Sequence, residues 1–250
     1  MILSPLPLLT AALFLLLTTI FLRALYIRTT LSRLRPPKRT TPSHILIVLG
    51  SGGHTAEMSS LLRGFDPSRY FHRTYVVSSG DGFSAQKALE IERMLQQSKD
   101  QPSKEGDTDP VTGRWDVRVV PRARKIHQSL LTTPFSAIWS LASCIWVLWD
   151  CSWRRAGWPD VVVTNGPATG VMVVFAAAGL RFLGVAGWGK MRCVYVESWA
   201  RVRTLSLSGR ILLWAGVCER FLVQWEGLAR RVNGRGGGRG KVEWVGFLVA

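Results

Sequence analysis

The chain is 250 residues long and carries a net charge of +16, yet 47% of its residues are hydrophobic, with 11 tryptophans among them. That length supports one domain with a well-filled core, with or without an appendage. A basic, apolar, tryptophan-rich chain suits an anionic membrane face, and no zinc-finger or RNP-like pattern supports a nucleic-acid partner.

Residues 1–22 contain no charged side chain. As a helix they would extend about 33 Å, enough to cross a hydrocarbon core of roughly 30 Å. Pro5 and Pro7 fall in the first turns, where proline does least harm. A cleaved signal peptide is the competing reading, but the basic n-region and a clean small-x-small site are both missing. We therefore read a transmembrane anchor. Arg23, Arg28, Arg33, Arg35, Lys38 and Arg39 follow it, and the first acid is Glu57. This asymmetry predicts that everything after the anchor faces the cytosol. Residues 23–43 form a basic linker stiffened by Pro36, Pro37 and Pro42. No other segment reads as a second span.

Ile45-Leu46-Ile47-Val48-Leu49 predicts a strand buried on both faces, as inside a parallel sheet. Gly50-Ser51-Gly52-Gly53 then makes a turn with no Cβ to block a ligand, and a helical pattern begins at Thr55. A strand, a glycine turn and a helix N-terminus present backbone N–H groups and a positive dipole end to an anion. The dinucleotide fingerprint G-x-G-x-x-G/A fails at Thr55, and Asp81 comes late for its ribose acid. No lysine follows to make a Walker loop. The loop alone specifies a phosphate or diphosphate site, with His54 at its lip.

Thr74-Tyr75-Val76-Val77-Ser78 reads as a second strand, and residues 84–97 as a helix with Ala88, Ile91 and Leu95 on one face. Residues 98–114 are polar, without periodicity, and read as a disordered insertion. A strand resumes over residues 117–120. Behind it, Arg122, Arg124 and Lys125 form either a diphosphate clamp or a solvated basic loop, with His127 close by. Residues 134–153 form an apolar helix with Trp139, Trp146, Trp149 and Trp153. It belongs to the core or lies in the membrane interface.

Further strands follow over residues 161–164, 191–196 and 221–223, with helices over 168–182 and 205–217. Residues 234–240 are a flexible glycine/arginine loop, and the apolar terminus with Trp244, Phe247, Leu248 and Val249 needs covering. The alternation gives an α/β fold, a Rossmann-like, doubly wound parallel sheet over residues 44–250 behind one transmembrane helix. Cys144, Cys151, Cys193 and Cys218 sit singly in apolar runs, as reduced core residues do, and no His/Cys/Asp cluster has metal-ligand spacing.

Five segments together carry a resemblance. They are Gly50-Ser51-Gly52-Gly53-His54-Thr55, Pro121-Arg122-Ala123-Arg124, Thr164-Asn165-Gly166-Pro167, Val194-Tyr195-Val196-Glu197-Ser198 with Leu205-Ser206-Leu207-Ser208-Gly209, and Phe221-Leu222-Val223-Gln224-Trp225. In this order behind an anchor, the chain resembles the membrane-anchoring subunit of the heteromeric UDP-N-acetylglucosamine transferase of dolichol-linked oligosaccharide synthesis. That family is similar to the N-terminal, acceptor-binding half of a GT-B glycosyltransferase.

The resemblance implies transfer of GlcNAc from UDP-GlcNAc to the 4-hydroxyl of GlcNAc-diphospho-dolichol, forming a β1,4 link in the second step of lipid-linked oligosaccharide synthesis. It implies a soluble partner subunit that binds UDP-GlcNAc, no cofactor on this chain, and no activity without the partner. The expected place is the endoplasmic reticulum membrane, continuous with the nuclear membrane, with a lumenal N-terminus and a cytosolic domain.

Ser51, Gly52, Gly53 and Thr55 would bind the diphosphate, with Arg122 and Arg124, while Asn165 and Gly166 would bind sugar hydroxyls. His54 is a candidate general base, against a helix-cap or phosphate-ligand role. Glu197 is an alternative base or acceptor-orienting group, against pairing with Arg201 or Arg203. The terminal Trp244, Phe247, Leu248 and Val249 would form part of the partner interface, or close the domain as an edge element. Two rival classes stand beside this reading. One is a purely structural anchor without active-site residues. The other is a membrane-tethered Rossmann oxidoreductase, which the mismatch at Thr55 disfavours.

Overall fold

The computed structural model describes residues 6–31, 43–67, 69–97, 113–124, 128–129, 131–154, 157–166, 168–187, 189–234 and 242–248. Most of the expected linker and insertion, with Lys125, His127, Pro167, Val249 and the glycine/arginine loop over 235–240, lie outside them.

The elements run α1 Leu6–Leu31, β1 His44–Val48, α2 Gly53–Leu61, β2 His72–Ser78, α3 Gly82–Gln97, β3 Arg114–Val120 and α4 Thr133–Trp153. They continue as β4 Val161–Thr164, α5 Ala168–Phe182, β5 Arg192–Val196, α6 Leu207–Ala215, β6 Arg220–Val223, α7 Glu226–Asn233 and β7 Glu243–Trp244. All strand pairings are parallel, in the order β3-β2-β1-β4-β5-β6-β7. The expected doubly wound α/β sheet is borne out. β1, an inner strand between β2 and β4, is buried along its whole length, which is why its sequence after His44 is uninterrupted branched apolar residues.

Alternation along the strands feeds two cores. Ile45, Ile47 and Leu49 of the β1 segment pack with Met58 of α2, its C-cap Leu62, and Ile91 and Leu95 of α3. Leu46, Val48 and Val162 pack on the other face with Cys144, Leu148, Val174 and Leu212 from α4, α5 and α6. Under the first layer, Arg73 gives Glu92 two hydrogen bonds of 2.7 Å, and Tyr75 gives it a third. The three side chains fasten α3 to β2.

Some element bounds differ from the sequence reading. Arg114 opens β3 opposite His72, because the register with β2 extends over seven residues. α7 is an eight-residue arginine-rich helix whose inner face is Leu228 and Ala229, too short a pattern to read by period.

Among the described residues, two helices are long and apolar enough to cross a membrane, α1 and α4. α1 runs beyond residue 22 to Leu31, and its apolar stretch Leu9–Tyr26 is long enough to cross a membrane, which fits an N-terminal anchor. Arg23 in its last third donates from Nε to the Phe182 carbonyl at 3.0 Å, tying α1 to the C-terminal end of α5. α4 corrects the expectation of no second candidate, and it is held by one face. Ser140, Cys144, Leu148 and Cys151 are buried against the sheet layer, while Phe135, Ile138, Trp139, Trp146 and Trp153 are exposed. The expected choice between core and interface dissolves, since one face of α4 is core and the other is bare and apolar.

Candidate functional site

The strand order reverses between β1 and β4, so the connections leaving their C-terminal ends diverge to opposite faces and leave a crevice. The loop of residues 50–53 lies at one lip and Asn165-Gly166 at the other. Gly52 takes φ 59° and ψ −123°, a conformation only glycine adopts freely, and it caps α2 without a side chain. A Cβ on Gly52 or Gly53 would meet nothing within 4 Å, so the space over the loop is open. Ser51 is exposed beside it.

Thr55 sits beneath the loop, fully buried. Its hydroxyl donates to the Gly50 carbonyl and lies 2.7 Å from the Ser84 hydroxyl, and its N–H donates to the Gly52 carbonyl at 3.1 Å. It fastens the loop from below. Among the described residues, the N–H groups of Gly53 and His54 in the first turn of α2 precede any intrahelical acceptor. Asp81, considered as a ribose acid, caps α3 through the Ser84 N–H at 3.0 Å.

The His54 ring rests on Gly166. A Cβ at Gly166, where φ is 144°, would stand 2.7 Å from Nδ1 of His54. The neighbouring Asn165 donates from Nδ2 to the His54 carbonyl at 2.7 Å and to Oε2 of Glu57 at 3.2 Å. Glu57 is buried one turn along α2, and its Oε1 accepts from the Ser198 hydroxyl at 2.6 Å. Its Oε2 lies 3.7 Å from His54 Nδ1, an ion-pair distance rather than a formed hydrogen bond. Burial pushes the Glu57 carboxyl up, but the neighbouring imidazole, the Ser198 hydroxyl and the Asn165 amide outweigh it and hold the group below its ordinary value. The crevice thus holds a half-exposed imidazole backed by a charged carboxylate.

Glu57 and Ser198 were not among the expected site residues. The i, i+3 spacing of His54 and Glu57 was a usable signal, but Ser198 arrives only because β5 lies beside β4.

Glu197 points elsewhere. Its carboxylate accepts from the Ser206 N–H at 3.0 Å, the Ser206 hydroxyl at 3.1 Å and the Ser198 N–H at 3.2 Å. Ser206 in turn caps α6 by accepting from the Gly209 N–H at 2.9 Å. Glu197 therefore staples β5 to α6 through Ser206, rather than pairing with Arg201 or Arg203.

Arg122 donates from Nε to the Ser79 carbonyl at 3.0 Å, and Arg124 to the Gln128 carbonyl at 3.3 Å. Both stand behind β3, two strands from β1, on the same sheet edge as the crevice but not in it. Near the far end of the sheet, Trp244 lies in β7 and is partly exposed, Phe247 stacks edge-on against Trp225 at 5.5 Å, and the Leu248 N–H donates to Oε1 of Gln224 at 2.9 Å. The terminus is partly covered by its own domain, with one side of Trp244 and Phe247 left bare.

A doubly wound sheet with an open glycine loop and an imidazole at its switch point defines a Rossmann-like protein, here behind an apolar N-terminal helix. Residues 45–241 match the model of the oligosaccharide biosynthesis protein Alg14-like family. The chain is 41% identical over 212 residues to the UDP-N-acetylglucosamine transferase subunit alg14 of Schizosaccharomyces pombe, covering 85% of this chain and 86% of that protein. It is 38% identical to the subunit of the same name in Aspergillus fumigatus, over 77% of this chain and 100% of that protein. With the human subunit it shares 36% identity over 75% of this chain and 77% of the relative. The chain belongs to the Alg14-like family, and the resemblance carried by the five segments is borne out.

Proposed function

We propose that this chain is the membrane-anchoring, acceptor-binding subunit of a UDP-GlcNAc:GlcNAc-diphospho-dolichol β1,4-N-acetylglucosaminyltransferase. It works with a soluble, donor-binding subunit on the cytosolic face of the endoplasmic reticulum. The observation that carries this reading is His54, half-exposed at the mouth of an open glycine loop on the β1/β4 switch point. Family membership supplies the reaction class.

In this reading α1 spans the bilayer once, and the bare tryptophan face of α4 lies in the interface, where indole rings are favourable. The acceptor's diphosphate then meets the N–H groups of Gly53 and His54 and the dipole of α2, with Ser51 beside them and Arg122 and Arg124 at the same sheet edge. Gly166 gives the imidazole its room, and Asn165 fixes the His54 backbone.

Transfer forms a bond from the acceptor 4-hydroxyl oxygen to C1 of the donor GlcNAc. The C1–O bond to UDP breaks, its electron pair leaves with UDP, and the hydroxyl proton passes to His54. Because Nδ1 is buried against the protein, Nε2 is the nitrogen offered to substrate. UDP-GlcNAc sits on the partner subunit, which docks on the bare side of Trp244 and Phe247, with Leu248 beside them.

The test is GlcNAc transfer from UDP-GlcNAc to a GlcNAc-diphospho-lipid, with and without the partner, comparing wild type with His54→Ala. Transfer that requires both subunits and is lost in the variant, with membrane and partner binding intact, supports the reading. Full activity in the variant would reduce this chain to an anchor and scaffold.

A further inference from the structure

Three elements converge on Glu57. It rises from α2 with its side chain 6% exposed, accepting from Ser198 beyond β5 and Asn165 beyond β4. A carboxylate withdrawn from water is costly unless its lone pairs are engaged, and an apolar residue would fill the same space without that cost. Among the described residues, its ion-pair partner is His54. The converse also holds. Nδ1 of His54 is buried without a hydrogen-bond partner among the described residues, and Glu57 Oε2 is the carboxylate oxygen within 4 Å of it. A small rotation of the half-exposed ring would close that gap, and catalytic hydrogen bonds commonly tighten only once substrate is bound.

We propose that Glu57 is the positioning residue for His54. Pinned by Ser198 and Asn165, its carboxylate takes the Nδ1–H, leaves Nε2 unprotonated toward the acceptor hydroxyl, and stabilises the imidazolium as it forms. This inference rests on the assignment of His54 as the base. The proton leaving the sugar hydroxyl ends on Nε2, and Glu57 gains none, the division of labour of a carboxylate behind a catalytic imidazole. Ser198 and Asn165 are neutral, so the charge that supports the imidazolium is that of Glu57.

The experiment uses the full chain reconstituted in vesicles with its partner, UDP-GlcNAc and a GlcNAc-diphospho-lipid. Glu57→Gln keeps shape and an acceptor for Ser198 but removes the charge. It is expected to lower kcat by about 10- to 100-fold, the scale of a supporting residue behind a reacting group, with the acceptor KM within about threefold of wild type. Glu57→Asp recovers part of the loss. In a His54→Ala background, Glu57→Gln costs nothing further, since residues acting as one unit are non-additive.

If Glu57→Gln does not assemble with the partner, Ser198→Ala carries the same test, with a smaller kcat loss that also vanishes in the His54→Ala background. Wild-type kcat in the tested variant, or losses that multiply in the double variant, overturns the inference and makes Glu57 a structural brace. Full activity in His54→Ala overturns the base assignment and this inference with it. An inactive His54→Ala beside a fully active Glu57→Gln overturns this inference alone.

Discussion

Gly166 and His54, 112 positions apart in sequence, share one volume: a methyl group on the glycine would lie 2.7 Å from the imidazole Nδ1. The ring occupies the place where any other residue at 166 would carry its Cβ, and φ of 144° already disfavours that residue. Gly166→Ala should displace the imidazole. We expect transfer to fall at least about tenfold while partner and membrane binding persist, because a misplacement of about 1 Å can cost 10²-fold. Steady-state kinetics of the reconstituted pair check this.

Gly52 tests the loop. Its φ of 59° and ψ of −123° are strained for any side chain, although a Cβ would meet open space. Gly52→Ala should therefore destabilise by about 1–3 kcal/mol through backbone strain alone. The acceptor KM should rise as the N–H groups of Gly53 and His54 shift. Thermal unfolding and a KM determination separate the two effects.

The outer face of α4 should be separable from its inner face. Trp139 and Trp146 are about 70% exposed and pack on little of the protein. Changing both to serine should leave the melting temperature near wild type. It should weaken binding to anionic vesicles and raise KM for a bilayer-embedded acceptor, but not for a water-soluble short-chain analogue. An equal change with both acceptors would remove α4 from the membrane.

His44, at the start of β1, predicts an acid sensitivity unrelated to the site. Burial lowers its pKa from 6.5 to about 4, partly offset by the hydrogen bond from Nδ1 to the Gly157 carbonyl at 2.9 Å. The folded protein keeps this imidazole neutral, while the unfolded chain protonates near 6.5. Its contribution is therefore complete above 6.5 and is lost as the pH falls toward 4, to a total of about 3 kcal/mol. Unfolding midpoints measured from pH 7.5 to 4.5 should fall across that window, and more shallowly in His44→Asn.

Much of the architecture was legible because it is written in neighbouring residues. The uninterrupted apolar run at Ile45, Leu46, Ile47, Val48 and Leu49 could only be a strand covered on both faces, and Gly50, Gly52 and Gly53 could only be a turn. The charge-free N-terminal segment and the arginines behind it specified an apolar helix long enough to cross a membrane for the same local reason: hydrophobic length and flanking charge are properties of adjacent positions. The glycine loop leading into α2 was legible too, because a strand ending in glycine before a helix is a local signature. The short, charged α7 escaped because two buried residues in eight make no readable period.

The identity of the groups that meet in the crevice was decided by tertiary structure. Glu57 and Ser198 are 141 positions apart, and nothing in the sequence near either one announces the other. They touch because the crossover from β1 to β4 places β5 one strand further along, a consequence of strand order rather than of local pattern. The same geometry separates Glu197 from its neighbour Ser198: as the chain leaves β5, one side chain turns under α6 and the next turns toward β4. α4 likewise has one sequence but two environments, a face sealed by the sheet layer and a face left bare. Periodicity can mark both faces as apolar, but only packing determines which one the protein itself covers.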